Sequence, residues 1–453
     1  MDENGPRRIV PWLLVFLYFT FLYSYGAKLS TLVYTDFPSF YYGARLSFIE
    51  KQSPYNEQAL TAASEKAEPP RPGEVRRRIY PYLYPPPSLL LFYPLARLPV
   101  NAAKIAVLAI NHVCLLIAIG LLLVGILGFT PRQMTTDVLP AFMVIYLLFF
   151  RGIDSTIELG QVNLIVLALL CVCWLGIKRD WPGWAIALPL ALASVFKLYP
   201  VLFLGMLVFR RKYQAAALTL ALLAAVCIVS WFVLPRAFWI DWKTNVAPTC
   251  GYLRAPMGVF PPTLQGNVGF AGFMARLFMA PKLFMEVGRP TLGATLLPFE
   301  QLGRLLTVAG IAVMALITFG AVYLSSRRDA ATNSGRGQRI DLEFAAILVL
   351  TFLVAPLAWE HHLTYVAPGA IVAMLAVLGR DGNRARGWIY VTIFLTAFVI
   401  AWPLTVAKLP LPRLLVILLA SVKLYAVLIL WGFLLVEMTR RKIRRSLREA
   451  API

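Results

Sequence analysis

Charge is scarce in this sequence. Asp, Glu, Lys and Arg make up 14% of its 453 residues, against ~25% in soluble domains. Hydrophobic residues make up 59%, and mean hydropathy is +0.71. A chain of this length with so little polar surface cannot cover two or three soluble domains, so an ordinary soluble enzyme is excluded. Cysteine is rare too. Cys114, Cys171, Cys173 and Cys227 fall in apolar runs and Cys250 stands alone in a loop, so no loop disulfide is expected. Cys171 and Cys173 are two apart, which puts them on different faces of a helix and argues against a metal pair. There is no glycine-rich phosphate loop, no His-Glu-x-x-His and no Gly-x-Ser-x-Gly segment. An activated donor would therefore have to arrive within the membrane. The net charge of +21 would suggest nucleic acid in a soluble protein. Here membrane orientation explains it, and no nucleic-acid partner is expected.

What the sequence does have is apolar runs, recurring from residue 9 to residue 436. The first, Ile9 to about Tyr34, is too long for a signal-peptide core and reads as a retained helix behind Arg7-Arg8. Twelve spans are expected, at about 9–34, 84–99, 103–128, 138–150, 157–177, 182–209, 213–235, 303–325, 342–358, 363–379, 388–406 and 413–436. The fold class is thus an all-α polytopic membrane protein, a single integral domain over 1–453 with both termini cytoplasmic. In this map the cytoplasmic segments carry most of the Lys and Arg outside the two long loops. The short outer loops hold only Arg132, Lys178, Arg179, Lys408 and Arg413. Spans two and four are short for a bilayer of ~30 Å, which leaves the side of residues 129–160 open.

Two long loops, about 35–83 and 236–302, are expected outside, followed at the far end by a basic cytoplasmic tail, 437–453. Asp36-Phe37-Pro38 opens an amphipathic helix reaching about Lys51, and Phe273 to Glu286 forms a second; both are expected at the membrane interface. A transporter needs few extramembrane residues, whereas an enzyme acting on a lipid-borne substrate needs such a platform.

Several polar residues stand out against this background. Asp36 lies at the outer end of the first helix, where a carboxylate is costly unless used; helix cap and catalytic base are both open to it, and compatible. Lys197, in Phe196-Lys197-Leu198-Tyr199-Pro200, interrupts an apolar run at a cost of roughly 2.5–3.5 kcal/mol, so it faces a cavity or snorkels to an interface. Pro200 breaks the helix there. His361 and His362 follow Trp359-Glu360; adjacent positions on a helix point ~100° apart, so this pair alone makes no metal site. An imidazole at an aqueous rim could still serve a phosphate, and a structural role stays open beside it. His112 reads as a packing residue. Tyr80-Pro81-Tyr82-Leu83-Tyr84 reads as an aromatic belt before a sugar-stacking site, and Arg76-Arg77-Arg78 could meet lipid phosphate.

Together these residues resemble the polyprenyl-phosphate-sugar-dependent glycosyltransferases of the GT-C fold, specifically glycosyltransferase family 87. The resemblance runs through Asp36-Phe37, Tyr41-Tyr42, Ser53-Pro54-Tyr55 and Tyr84-Pro85-Pro86. It continues through Gly160-Gln161-Val162-Asn163, Lys197-Leu198-Tyr199-Pro200, Gln265-Gly266-Asn267 with Arg276, and Pro356 through His362. It implies transfer of a single sugar, mannose first and arabinofuranose as the alternative, from a polyprenyl-phosphate donor to a glycolipid or glycan acceptor. The reaction would occur at the outer face of a bacterial inner membrane, by an inverting displacement with Asp36 as general base. Lys197, His361, His362, Glu360, Arg276, Asn267, Gln161, Tyr41 and Tyr42 are then the candidates for donor-phosphate or substrate binding. No Asp-x-Asp or Glu-x-Asp pair stands in the first loop, so neither metal nor other cofactor is expected. Two rival classes remain in view. A flippase or transporter would spread ionisable groups along a midplane path in matching halves, and a polymerase or ligase of lipid-linked oligosaccharide would use a whole glycan as donor.

Overall fold

The computed structural model describes residues 16–21, 36–69, 79–127, 138–279, 297, 299–332, 336–378, 387–403 and 412–440. Most of the described residues are helical, and the only strand-like contact among them is a lone antiparallel bridge between Asn267 and Trp359. Among the described residues, four helices are long and apolar enough to cross a membrane: Val100–Ile126, Tyr213–Val233, Glu300–Asp329 and Val422–Thr439. Shorter apolar helices fill the spaces between them.

Near the N-terminus, α1 (Phe37–Arg45) and α2 (Glu57–Ala67) lead to α3 (Leu89–Ala96) and the long α4 (Val100–Leu122). α5 (Val138–Leu148), α6 (Arg151–Leu159), α7 (Asn163–Lys178) and α8 (Gly183–Phe196) follow. α9 (Phe203–Phe209), α10 (Tyr213–Val233), α11 (Arg236–Asp241) and α12 (Phe270–Phe278) complete the first two-thirds. The remainder is α13 (Glu300–Thr332), α14 (Arg336–Leu353), α15 (Ala367–Leu378), α16 (Gly387–Ala401), α17 (Arg413–Ala420) and α18 (Val422–Thr439). At the centre stands α14, buried on every side from Arg339 to Leu353. A helix apolar all round has to be enclosed, and α7, α13, α15 and α18 pack about it.

Two expected spans change character. α3 is eight residues long, about 12 Å of helix, and cannot cross ~30 Å of hydrocarbon. Proline is the physical reason: Pro85 to Pro87, Pro94 and Pro99 leave too short a run between donor-less positions. Both flanks of α3 stay beside the segment that follows Asp36, since the Tyr55 hydroxyl donates to the Tyr84 carbonyl at 2.9 Å and the Tyr41 hydroxyl to the Leu98 carbonyl at 2.8 Å. The expected single span 182–209, conversely, is two pieces. α8 stops at Phe196, Lys197 is extended (φ −148°, ψ 140°), and the chain turns back through a 3-10 turn, Tyr199–Leu202, into α9.

Those two changes move side as well as shape. Lys178 bonds the Gly125 carbonyl and Asp341, both at 2.6 Å, and Asp180 bonds Lys212 and Arg336. At the opposite end, Gln161 meets Asp36, Arg151 meets Glu360 and Lys197 meets His362. Residues 151–160 therefore sit at the Asp36 end, and 178–180 at the other, the reverse of the sequence map. Losing a crossing at 84–99 flips every assignment after it, and the break at Lys197 restores the order. α1 also departs from expectation: seven of its nine residues are buried, against α2, α3 and α4, so it is a core helix rather than one lying on the membrane. The later part of the second amphipathic stretch, from residue 280, lies outside the described residues, as do Arg76-Arg77-Arg78 and the basic tail beyond Arg440.

At the end away from Asp36, the Arg210 guanidinium forks onto Glu343 at 2.8 and 2.6 Å and also bonds Asp329, which Arg339 meets at 2.6 Å. The Glu343 side chain is fully enclosed, and those of Arg210 and Asp329 are only 6% and 5% exposed. Removing one partner of such a cluster strands buried charge. Glu343→Ala is expected to cost about 3–5 kcal/mol and to lower the melting temperature in detergent clearly; an unchanged melt would show that the cluster does not hold α9, α13 and α14 together.

Candidate active site

The site is assembled where α1, α6, α7 and the α8–α9 break converge on the turn Glu360–Tyr365. Asp36 precedes α1, whose first turn carries Pro38, and its carboxylate makes no capping hydrogen bond. It instead accepts from Gln161 Nε2 at 2.6 Å. Of the two roles open to Asp36, helix capping is not the one its side chain performs. Gln161 is delivered by the end of α6: Gly160 adopts φ 65°, the left-handed conformation that glycine takes without penalty, and closes the helix.

Lys197 is 5% exposed, and its Nζ lies 3.3 Å from His362 Nε2. The rings of Tyr84 and Tyr199 stand 6.0 and 5.9 Å from the same nitrogen, within reach of a cation–π contact. The Tyr84 hydroxyl reaches Gln161 in turn, which links the lysine to the aspartate through one tyrosine. His362 Nδ1 accepts from the Trp359 N–H at 3.0 Å. Its lone pair is thus engaged on that side, and in the neutral ring the proton sits on Nε2, facing Lys197. Burial, reinforced by the Lys197 charge, holds the His361 and His362 imidazoles well below the usual histidine range, so both are neutral at pH 7. Their rings lie 4.3 Å apart.

The histidine turn is clamped from below. Asn163 Nδ2 and Thr156 Oγ1 both donate to the His361 carbonyl, at 2.8 and 3.2 Å. Thr156 also shares a hydrogen bond with Thr364, and the Tyr365 hydroxyl donates to Asn163 Oδ1 at 2.9 Å. α6 lies so close that a Cβ at Gly152 would come within 2.7 Å of the Thr364 nitrogen. Buried polar groups that are all satisfied in this way fix a single geometry.

Of the expected site residues, the structure brings Asp36, Gln161, Lys197, His361 and His362 together. Glu360 is turned to Lys423 (2.5 Å) and Arg151 (3.4 Å). Asn267 is fully buried; it donates to the Pro262 carbonyl and accepts from the Ala358 N–H. Arg276, 1% exposed, bonds the Asn267 and Leu264 carbonyls and Ser421. Tyr41 and Tyr42 are packed in a separate core, their hydroxyls donating to Leu98 and Glu68. These five hold the frame of the site. Among the described residues, no group of three His, Cys, Asp or Glu side chains is placed to hold a metal ion.

The sequence alone names none of Tyr84, Asn163, Tyr199, Thr156, Tyr365 and Lys423 as a site residue, and places Tyr84 in an aromatic belt ahead of a sugar-stacking site. Lys423 carried a usable signal, the same as Lys197: a cation inside an apolar run. Asn163 and Tyr199 stood in the noted blocks without a site role of their own. Nothing in the pattern distinguished Thr156 or Tyr365.

A helical membrane enzyme with a carboxylate opposite a buried cation is the class this arrangement defines. The profile of glycosyltransferase family 87 matches residues 82–336, more than half of the chain, and the chain belongs to that family. A polyprenol-phosphate-mannose-dependent alpha-(1-2)-phosphatidylinositol mannoside mannosyltransferase of Mycolicibacterium smegmatis is 27% identical over 66% of this chain and 63% of its own length. Its namesake in Mycobacterium tuberculosis is 24% identical over 68% and 64%. A pentamannoside mannosyltransferase of M. tuberculosis is 24% identical over 72% and 66%. The matched region thus spans somewhat under two-thirds of the first two relatives. No solved structure matches the chain.

Because Gln161 donates to the Asp36 carboxylate, its loss should disorient that group without unfolding the helix ends. A hydrogen bond to a charged group is worth about 1.5–3 kcal/mol. Gln161→Leu is expected to lower kcat of the transfer proposed below roughly 10- to 100-fold with an unchanged melting temperature; wild-type turnover would remove Gln161 from the site.

Proposed function

We propose that this protein transfers mannose from a polyprenyl-phosphate donor to a glycolipid acceptor by a single inverting displacement, with Asp36 as general base. The observation that carries the reading is the pairing of a half-buried carboxylate, oriented by Gln161, with the enclosed Lys197–His362 group. The acceptor hydroxyl gives its proton to Asp36, and its oxygen attacks the anomeric carbon. The bond from that carbon to the phosphate oxygen breaks, and polyprenyl phosphate leaves with the electron pair. One carboxylate suffices, since phosphate needs little acid assistance. Lys197, in a water-poor site, neutralises the departing charge, and His362 can donate to it. The relatives are named for α-(1-2) products, which a single displacement yields from a β-linked donor.

The donor's lipid has a natural exit. Lys197 is enclosed, yet Leu198 beside it is 76% exposed, so a phosphate held by the one leaves its tail past the other into the bilayer.

The ends of the bundle give the orientation. With 84–99 removed as a crossing and the break at Lys197 counted as two short passes, twelve passes remain and both termini share a side. Arg132, Lys178 and Arg179 then move to the side that holds Arg210, Arg211, Lys212, Arg327 and Arg328, Arg97, Lys104 and Arg151 move the other way, and the positive-inside bias is kept. The Asp36 end faces outward from a bacterial inner membrane. In a background without native cysteines, Glu158→Cys should react with an impermeant reagent added outside and Asp180→Cys only from inside. Both positions are about half exposed, and the opposite pattern would overturn this orientation.

The test of function is transfer by purified protein in nanodiscs, with polyprenyl-phosphate-mannose and a panel of glycolipid acceptors. Asp36→Asn is expected to fold as wild type and lose ~10²-fold or more of turnover, and EDTA to change neither. Comparable activity in the folded mutant would remove Asp36 from the mechanism. The pH profile gives a further check. With both imidazoles pushed down by burial, their protonation lies below the working range, and activity should show no histidine limb between about pH 6 and 8. A loss of activity centred near pH 6.5 that vanishes in His362→Gln would contradict a neutral His362.

A further inference from the structure

Beside the reacting groups lies a row of aromatic rings that the chemistry above does not use. The Tyr80 ring is 4.5 Å from that of Phe260, and Phe260 is 5.9 Å from Trp359. All three are half-buried, so each leaves part of its surface open. They come from three separate segments, the first outer loop, the second outer loop and the approach to the histidine turn. Trp359 is joined directly to the site, because its N–H donates to His362.

The local backbone is arranged around these rings. Phe260 holds φ 58°, and Leu253 and Met257 in the same loop hold 55° and 47°. Glycine would occupy such positions freely, whereas a bulky residue there stores strain that the surrounding packing has to hold. Gly266 approaches Trp359 so closely that a Cβ would lie 3.0 Å from its ring, and the adjacent bridge from Asn267 fixes the same tryptophan. Within that turn, Gln265 Nε2 is buried with no hydrogen-bond partner among the described residues. An amide so placed is costly unless something accepts from it.

We propose that Tyr80, Phe260 and Trp359, with Gln265, form the subsite for the terminal sugar ring of the acceptor. A pyranose has an apolar face of C–H bonds and a rim of hydroxyls. Half-open aromatic rings meet the first, and an unpaired amide donor meets the second. The acceptor rather than the donor belongs here. Tyr80 and Phe260 lie on extramembrane loops, where a glycan headgroup sits, whereas the donor sugar is tied through its phosphate to Lys197 beside the lipid-exposed Leu198. This assignment rests on the transfer reaction proposed above, for which it names the recognition element.

The test has two arms, run on full-length protein in nanodiscs with Phe260→Leu, Phe260→Tyr and Gln265→Ala beside wild type, each checked by thermal melt. In the kinetic arm, Phe260→Leu and Gln265→Ala should raise KM for the glycolipid acceptor about three- to tenfold. KM for the donor and kcat should stay within about twofold, and Phe260→Tyr should behave as wild type. In the binding arm, saturation-transfer NMR with methyl α-mannoside should show ring-proton contact in wild type and in Phe260→Tyr, and its loss in Phe260→Leu. A rise in donor KM alone, or sugar contact unaffected in Phe260→Leu, overturns the subsite. If wild type transfers no mannose, the reaction fails but the binding arm still decides. Contact that depends on Phe260 sustains a sugar subsite, and no contact in wild type removes it.

Discussion

A lysine ammonium enclosed among apolar helices has to be answered by its surroundings, and much of this structure is the answer to Lys197. Its insertion cost of roughly 2.5–3.5 kcal/mol is met neither by a direct carboxylate bond nor by snorkelling. It is met by ending α8 one residue earlier and by two tyrosine faces, while the neutral His362 ring closes the site beside it. Each of these answers imposes another. His362 must be turned by Trp359, the histidine turn must be clamped by Asn163 and Thr156, and α6 must approach closely enough to need Gly152. Asp36 is then held near the lysine by Gln161 without neutralising it through a tight pair. A cation left only partly compensated is suited to receive an anion.

The division between scaffold and chemistry follows from the same accounting of buried polar groups. Arg276 and Asn267 tie the second outer loop to the segment before the histidines, and Glu360 carries a chain of ion pairs from Lys423 to Arg151. Their hydrogen-bonding capacity is largely spent inside the protein, which leaves little for a substrate. Asp36, Gln161 and Lys197 share their partners across elements that meet only at the site. A buried polar residue in an apolar sequence signals that something must pair with it, and the fold decides whether the partner is protein or ligand.

This explains what the sequence could and could not reveal. The membrane class was legible because long apolar runs have few other uses, and the family because its blocks keep their order along the chain. Asp36, Lys197 and the two histidines were legible as polar residues that lipid penalises. The crossings at 84–99 and 182–209 were not. Hydropathy weighs how apolar a segment is, whereas the prolines around α3 and the extended Lys197 decide how far it travels. Tyr41 and Tyr42 misled for a related reason: an aromatic pair at the start of a loop looks the same whether it packs under a helix or faces a substrate. Thr156 and Tyr365 acquire meaning only through contacts more than 200 residues away, and no local pattern encodes such distances.

The bend at Lys197 bears on the lipid as well as on the site. Its first leg, α8, has fourteen residues, about 21 Å of helix, set against a hydrocarbon layer of ~30 Å. In a bilayer, a leg that short leaves its apex sunk beneath the headgroups unless the surrounding leaflet thins to meet it. The depth of that apex is fixed by packing, but the level of a lipid-borne phosphate, as in the proposed donor, is fixed by the lipid. Acyl-chain length in the host membrane then becomes a variable of the reaction, able to raise or lower one reactant against the other by fractions of a kcal/mol for each ångström of mismatch.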